Sequence, residues 1–410
     1  MENGKAPRYR WVVLAALFLL TVASQVQWLA NDNIARETQA LFGFDSVAPV
    51  NRLAEAYLLV FLFMCIPASW ALFRFGTRVG LGIGAVLLGV GSIVKGLGAG
   101  TYGALLAGQV VLAVSQPFIL NAPTAVASSW FPVSQRGTAV GIALLAQFVG
   151  MLLALAISPW AIAVDGVPDP ARIPGLVAVY GWACLGAAVL CLLLMREGPG
   201  KVQRDAMADV RGFSRGVRHI LSLRDVRRTV LMFFVGLGIF NAVLICIGSI
   251  GELKALDRQQ GDMLGPMVLV GGVIGAVVLP VLSDRLRRRK AVLAAALVGV
   301  VPSLAGLAWS QDYGTALAFS FLVGFFVTGA GPVGFQYAAE VGGPSTESTS
   351  QGLMLLAGQV SGLLFAEVMG QEGFLSPVMW AFVALAAGIA VLSMTLRESP
   401  AFARSAEPLE

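Results

Sequence analysis

Apolar runs of about twenty residues recur from one end of the chain to the other, broken only by short polar stretches. A hydrocarbon core about 30 Å thick is spanned by ~20 apolar residues of helix. Lipid leaves no partner for an open backbone N–H or C=O, so a chain of such runs folds as spanning helices. Spans are predicted at 11–31, 51–74, 79–99, 102–129, 135–160 and 174–195, then at 229–251, 262–283, 290–310, 314–339, 347–370 and 376–396. The expected fold class is an all-α membrane protein with twelve transmembrane helices. Composition agrees: 57% of the 410 residues are hydrophobic and 12% charged, about half the ~25% charge that a soluble domain carries. The first run, Trp11 to Ala30, is too long for the apolar core of a signal peptide, lacks a small-residue cleavage site, and reads as a retained helix.

Orientation follows from the cations. With both termini inside, the 196–228 loop carries nine Lys and Arg, Asp284–Lys290 five and the N-terminus three, while the C-terminal tail and the Arg74/Arg78 turn carry two each and Arg136 adds one. That places 22 of the 28 on the inner side, the bias of the positive-inside rule. A multi-pass protein of the cytoplasmic (inner) membrane with both termini cytoplasmic is expected; compact loops suggest a bacterial source. The four cysteines, Cys65, Cys184, Cys191 and Cys246, lie inside apolar runs without metal-like spacing and read as packing residues.

The polar stretch 196–228 divides the chain into an N-terminal six-helix bundle (1–195) and a C-terminal one (229–410) with a short tail. It holds the sole histidine, His219, and reads as a solvated linker or a contact with anionic lipid. The halves echo each other. Pro132 lies fifteen residues before Gln147, and Pro344 fifteen residues before Gln359. Each glutamine falls two or three residues before a glycine, within Ala146-Gln147-Phe148-Val149-Gly150 and Gly358-Gln359-Val360-Ser361-Gly362. Duplication of one bundle into two pseudo-symmetric halves explains the equal spacing.

The segment Pro280-Val281-Leu282-Ser283-Asp284-Arg285-Leu286-Arg287-Arg288-Arg289-Lys290 resembles the cytoplasmic signature of the major facilitator superfamily: a small residue, Asp-Arg, then a basic pair. Asp284, Arg285 and Arg288 are its candidate gating residues. In the matching turn of the first half, Phe73-Arg74-Phe75-Gly76-Thr77-Arg78, phenylalanine stands where the acid belongs. The superfamily plan implies parallel halves related by an axis along the membrane normal, with substrate between them.

A narrower resemblance is carried by Gly108-Gln109, by Ser115-Gln116-Pro117-Phe118-Ile119-Leu120-Asn121-Ala122-Pro123 and by Ala127-Ser128-Ser129-Trp130-Phe131-Pro132. Gln27-Trp28, Pro67-Ala68-Ser69-Trp70, Lys95, Gln147 and Ser348-Thr349-Ser350 with Gly352 and Gln359 add to it. These stretches are similar to the feline leukaemia virus subgroup C receptor family, whose members are described as carriers of choline, ethanolamine or haem. The resemblance implies a central site of aromatic rings and two glutamines; carried over, its residues are Trp28, Gln147 and Gln359. It breaks at helix seven, where the family has a tyrosine and Gly236–Ile250 offers only Phe240 and Asn241.

Read on its own, Trp28 lies about 17 residues into its helix, roughly 26 Å along the axis. It is either an interfacial anchor or, with Gln25, Gln27 and Asn31 around it, part of a polar cavity. Gln147 and Gln359 either bridge helices or touch substrate. Gln109, Gln116 and Asn121 are further lining candidates on helix four. Asp32, Glu55, Glu252 and Glu367 lie toward outer helix ends and are either gate and coupling groups or rim ion pairs. No Arg sits mid-helix and no His lies in a span, which disfavours multiply charged anions and axial haem ligation. No nucleophile–base pair, metal cluster or phosphate loop is present, so neither enzyme activity, cofactor, metal nor nucleic acid is expected. The reading is a monomeric carrier of a small amine or organic cation. The alternatives are a major facilitator carrier, proton-coupled efflux included, of an unrelated metabolite or drug, and a non-transporting receptor or channel.

Overall fold

A computed structural model of the chain describes residues 8–31, 34–46, 48–198, 217–343, 347–371 and 373–403. Asp32 and the Glu55 side chain lie outside the described set. The helices are α1 (Arg10–Leu29), α2 (Ala35–Phe42), α3 (Ala48–Leu97), α4 (Tyr102–Leu120), α5 (Pro123–Trp130), α6 (Val133–Ile162) and α7 (Ile173–Leu194). They continue as α8 (Arg224–Ile245), α9 (Ile247–Leu253), α10 (Arg258–Leu286), α11 (Arg289–Trp309), α12 (Tyr313–Gly342), α13 (Glu347–Met369), α14 (Leu375–Met394) and α15 (Pro400–Ala403). A two-residue hairpin, Ala163–Val164 with Val167–Pro168, connects α6 to α7.

Most predicted ends fall within a turn of the observed ones, with two departures. The 102–129 run divides at Asn121, because Pro123 has no N–H to continue the α4 ladder and starts α5 instead. The 229–251 run begins earlier, at Arg224, and is interrupted at Cys246. Helices predicted at 51–74 and 79–99 are the two arms of α3, which meet within the predicted gap at Gly76, with φ 84° and ψ 173°. That backbone is open only to glycine. Eleven helical segments among the described residues are long and apolar enough to cross a membrane. One of them, Leu59–Leu97, has 39 residues, about twice what a bilayer needs, and Gly76 lies inside it.

The chain forms two compact units. The first holds Met1–Trp130 and Ala146–Lys201, the second Phe131–Leu145 and Val202–Glu410. In the first, α3 packs on α4 and α7, and α1 on α7. In the second, α10 pairs with α12, α8 with α13, and α11 with α12 and α14. The first half of α6 belongs to the second unit, whereas the sequence places all of it in the first. Its glycines are the reason: a Cβ at Gly137 would strike the Arg289 guanidinium, and one at Gly141 the Ala276 carbonyl oxygen.

Small residues let backbones touch elsewhere too, as expected where helices pack without a hydrophobic driving force. A Cβ at Gly108 would lie 2.6 Å from the Lys95 backbone nitrogen, and one at Gly181 2.7 Å from the Ser92 carbonyl. In the second unit, Gly271, Gly275 and Gly324 lie against the carbonyls of Phe321, Phe325 and Val268 so closely that any Cβ would overlap them. Large apolar side chains point away from both bundles: Phe63 is 73% exposed and Leu193 71%. Trp160 and Trp309, 79% and 77% exposed near the ends of α6 and α11, suit a membrane–water boundary.

A second echo between the halves emerges at helix starts. Glu197 accepts from the Arg78 N–H (3.2 Å) and the Thr77 hydroxyl (3.4 Å), just after the Gly76 break. Glu398 accepts from the Lys290 N–H (3.1 Å) at the start of α11. Both acids sit in like sequences, Arg196-Glu197-Gly198-Pro199 and Arg397-Glu398-Ser399-Pro400. The carboxylates complement the partial positive charge of the helix N-termini.

Candidate functional sites

The first unit buries an unusual number of amides. Gln116 on α4 is completely enclosed. Its Oε1 accepts from Gln25 Nε2 (3.2 Å), Tyr57 OH (3.4 Å) and Ser24 Oγ (3.5 Å), and its Nε2 donates to the Ser24 carbonyl (3.3 Å). Four side chains from α1, α3 and α4 thereby share one network. Tyr57 also stacks on Trp28, with ring centroids 4.4 Å apart and planes 24° from parallel. Trp28 is only half-buried, but its indole N–H is shielded and makes no hydrogen bond among the described residues. Both side-chain atoms of Gln27 and of Asn31 are likewise buried and unpaired there. Buried polar atoms without partners are rare in proteins, so their clustering makes the end of α1 a candidate polar site.

Tyr57 carries no sequence signal for this role. It lies on a different helix from Trp28 and belongs to no quoted motif. Its ring backs one face of the Trp28 indole. The other lining candidates divide. Asn121 is sealed between helices, its Nδ2 donating to Ser69 Oγ (2.9 Å) and the Cys65 carbonyl (3.1 Å). Gln147 is half-buried on α6, and no hydrogen bond engages its amide among the described residues. One turn later, a Cβ at Gly150 would lie 2.6 Å from Gln25 Cβ and from the Val22 carbonyl, so α6 lies directly against α1 in this unit.

In the second unit, Asn241 Nδ2 donates to the Gly358 carbonyl at 3.5 Å, and Gly362 gives its side chain room. This sets α8 beside Gln359, which is half-buried like Gln147. Phe240 is buried, 6% exposed.

The acidic signature residue has a different partner from those the sequence suggests. Asp284 accepts from Arg289 NH1 at 2.5 Å and from the Thr138 N–H and hydroxyl, both at 2.6 Å. The same guanidinium reaches Glu340 at 3.2 Å, the Val133 carbonyl at 3.3 Å and the Phe402 ring, 4.9 Å from its centroid. Glu340 also accepts from Gln336 Nε2 (2.9 Å) and the Ser399 hydroxyl. The Arg289, Asp284 and Glu340 side chains are 0%, 4% and 2% exposed. Arg285 and Arg288 are exposed instead. α10 ends at Leu286 and Arg287 turns the chain with φ 54°, which swings Arg289 inward. The cluster ties the first turns of α6 to α10, α11, α12 and α15 within one unit. Glu252 and Glu367 are exposed near the ends of α9 and α13.

Bundles of spanning helices with enclosed amides, half-buried glutamines and a buried charge cluster at helix ends are the construction of a membrane solute carrier. The model of one family, the Major Facilitator Superfamily, matches residues 10–366, and the chain belongs to that superfamily. Solute carrier family 49 member A3 of Xenopus tropicalis is 28% identical over 374 residues, 87% of this chain and 76% of the relative. The choline/ethanolamine transporter FLVCR2 of Homo sapiens is 24% identical over 385 residues, 90% of this chain and 72% of the relative. The chain is therefore a major facilitator transporter resembling the feline leukaemia virus subgroup C receptor family. Among solved structures, the transporter FucP in its outward conformation superposes with a TM-score of 0.76 at 16% identity, covering 94% of this chain and 99% of its own. The proton:xylose symporter XylE gives 0.76 at 14%, covering 98% and 99%. At such identities these two speak for the fold alone.

Proposed function

We propose that this transporter has twelve spans and moves a small amine or organic cation, such as choline or ethanolamine, by alternating access. The carrying observation is the half-buried Trp28 indole, backed by Tyr57, with the amides of Gln25, Gln27 and Asn31 buried nearby. An indole face attracts a quaternary ammonium by about 0.5–2 kcal/mol, more as water is excluded. Amides orient a hydroxyl or ammonium without demanding a charged partner. Relatives named as choline/ethanolamine transporters support the same class. Gln147 and Gln359 are the proposed contacts from helices five and eleven, and Asp284 with Arg289 the proposed gate pair. Counting the two arms of α3 on either side of Gly76 as separate spans gives twelve. Both termini then face the cytoplasm, and one chain is the working unit.

A second reading, a carrier of an unrelated metabolite or drug, rests on the higher identity to solute carrier family 49 member A3, whose name states no substrate.

The test is uptake and counterflow of labelled choline and ethanolamine in proteoliposomes. Saturable uptake weakened by Trp28→Ala and Gln359→Ala is expected. Absence of saturable uptake or binding for both amines sinks the amine assignment, and absence of counterflow for any solute favours a receptor or channel. Insensitivity to an imposed pH gradient removes Glu55 and Glu367 as proton-coupling groups.

A further inference from the structure

Helix α1 ends at Leu29, just ahead of the turn-favouring run Asn31-Asp32-Asn33, with no side-chain cap from its own residues among those described. Its C-cap residue, Ala30, keeps helical angles, φ −52° and ψ −37°. Neither a glycine nor a proline follows within the turn Ala30–Asn31. By contrast α2 ends at Gly43 in the left-handed conformation, whose N–H closes onto the Ala40 carbonyl. The last four carbonyls of any helix lack intrahelical donors, and in α1 these are Val26 to Leu29.

Two side chains from other helices meet them. Lys95 Nζ donates to the Gln27 carbonyl at 2.8 Å and to Gln109 Oε1 at 2.7 Å. Gln109 Nε2 in turn donates to the Trp28 carbonyl at 3.4 Å. Lys95 is fully buried, 0% exposed, and stands in the last turn of α3. Its ammonium thus lies at the negative ends of two helix dipoles, where a cation is favoured. Gly108 allows the approach, since any side chain there would collide with Lys95 Cβ. The second unit has a comparable arrangement: Lys254 Nζ donates to the carbonyl of Ser310, the C-cap of α11, at 2.8 Å.

We propose that Lys95, relayed by Gln109, is a positioning residue for the substrate site: a cap supplied by α3 and α4 that fixes where α1 ends and so holds the Trp28 indole in place. This rests on Trp28 being the aromatic contact of the proposed amine site, so the test includes a readout that needs no substrate. Without the cap, the Gln27 and Trp28 carbonyls lose their donors, nothing in the Ala30 backbone prevents α1 from continuing or fraying, and the ring leaves its stack on Tyr57.

The experiment labels tryptophan with fluorine, assigns the Trp28 resonance by its loss in Trp28→Phe, and compares Lys95→Met, Lys95→Arg and Gln109→Ala in detergent. The Trp28 signal is expected to shift or broaden in Lys95→Met, less so in Gln109→Ala, and to stay near its original position in Lys95→Arg. In the transport assay, Lys95→Met is expected to raise half-saturation about tenfold with maximal rate little changed, and to add nothing on top of Trp28→Ala. An unmoved Trp28 signal in both Lys95→Met and Gln109→Ala overturns the proposal, as does full additivity with Trp28→Ala. Should Lys95→Met not fold, Gln109→Ala and Lys95→Arg decide. A moved signal without amine transport leaves the cap standing and removes the amine reading instead.

Discussion

Arg289 in the second unit and Lys95 in the first are both fully shielded cations, yet they sit at different kinds of junction. Arg289 faces two carboxylates, a serine hydroxyl, a backbone carbonyl and a ring. Lys95 donates to a backbone carbonyl and to an amide oxygen at the end of α1 and on α4. The planar guanidinium suits a site where several elements converge, because its fork engages many acceptors at once. The compact ammonium suits a helix end. A buried cation in a membrane bundle can thus gather several elements at one point or seat on the carbonyl end of a single helix. The first arrangement fastens elements together, while the second decides where one element stops.

Four measurements break or sharpen this contrast, largest effect first. Arg289→Met leaves the buried Asp284 without its guanidinium and Glu340 with only Arg136 as a neighbouring cation. Thermal or denaturant unfolding in detergent should show a loss of about 3–5 kcal/mol, as when one partner of a buried pair is removed. Lys95→Met removes the donor to the Gln27 carbonyl and to Gln109 Oε1. The same assay should show about 1–3 kcal/mol, and a loss equal to that of Arg289→Met would erase the distinction. Trp28→Ala separates the cap from what it holds: amine affinity should fall by about 0.5–2 kcal/mol, or roughly 2- to 30-fold, with stability less affected than in Lys95→Met. Smallest are Glu197→Gln and Glu398→Gln, which remove a charge from equivalent helix starts. Each should cost about 0.3–1 kcal/mol, and unequal values would show that the two units use this echo differently.

The span pattern was legible because a bilayer converts hydrophobicity into length, a strong one-dimensional signal. The break at Cys246 was less so, and the one at Gly76 was legible as a gap between two runs but not as a kink at one residue. Gly76 is one of 48 glycines, and composition does not say which adopts a positive φ. The Asp284 signature was readable as a motif, but five cations follow it within six residues. Which one turns inward depends on where α10 ends and on the left-handed Arg287. Trp28 stood out through its polar flanks, whereas Tyr57 did not: its stacking depends on the packing of α1 against α3, which no local periodicity encodes. The like segments at Arg196–Pro199 and Arg397–Pro400 were present in the sequence, but short polar tails after long apolar runs give little to align.

The backbone contact between α10 and α12 has a mechanical consequence. Where Gly271, Gly275 and Gly324 bring main chain against the carbonyls of Phe321, Phe325 and Val268, there is no side-chain layer to act as a lubricant. Two helices meshed in this way cannot slide past each other by a fraction of a turn without colliding. They form a single girder. Compliance in the second unit must then come from joints outside it, and the interruption of the α8–α9 run at Cys246 is the place where this unit can bend.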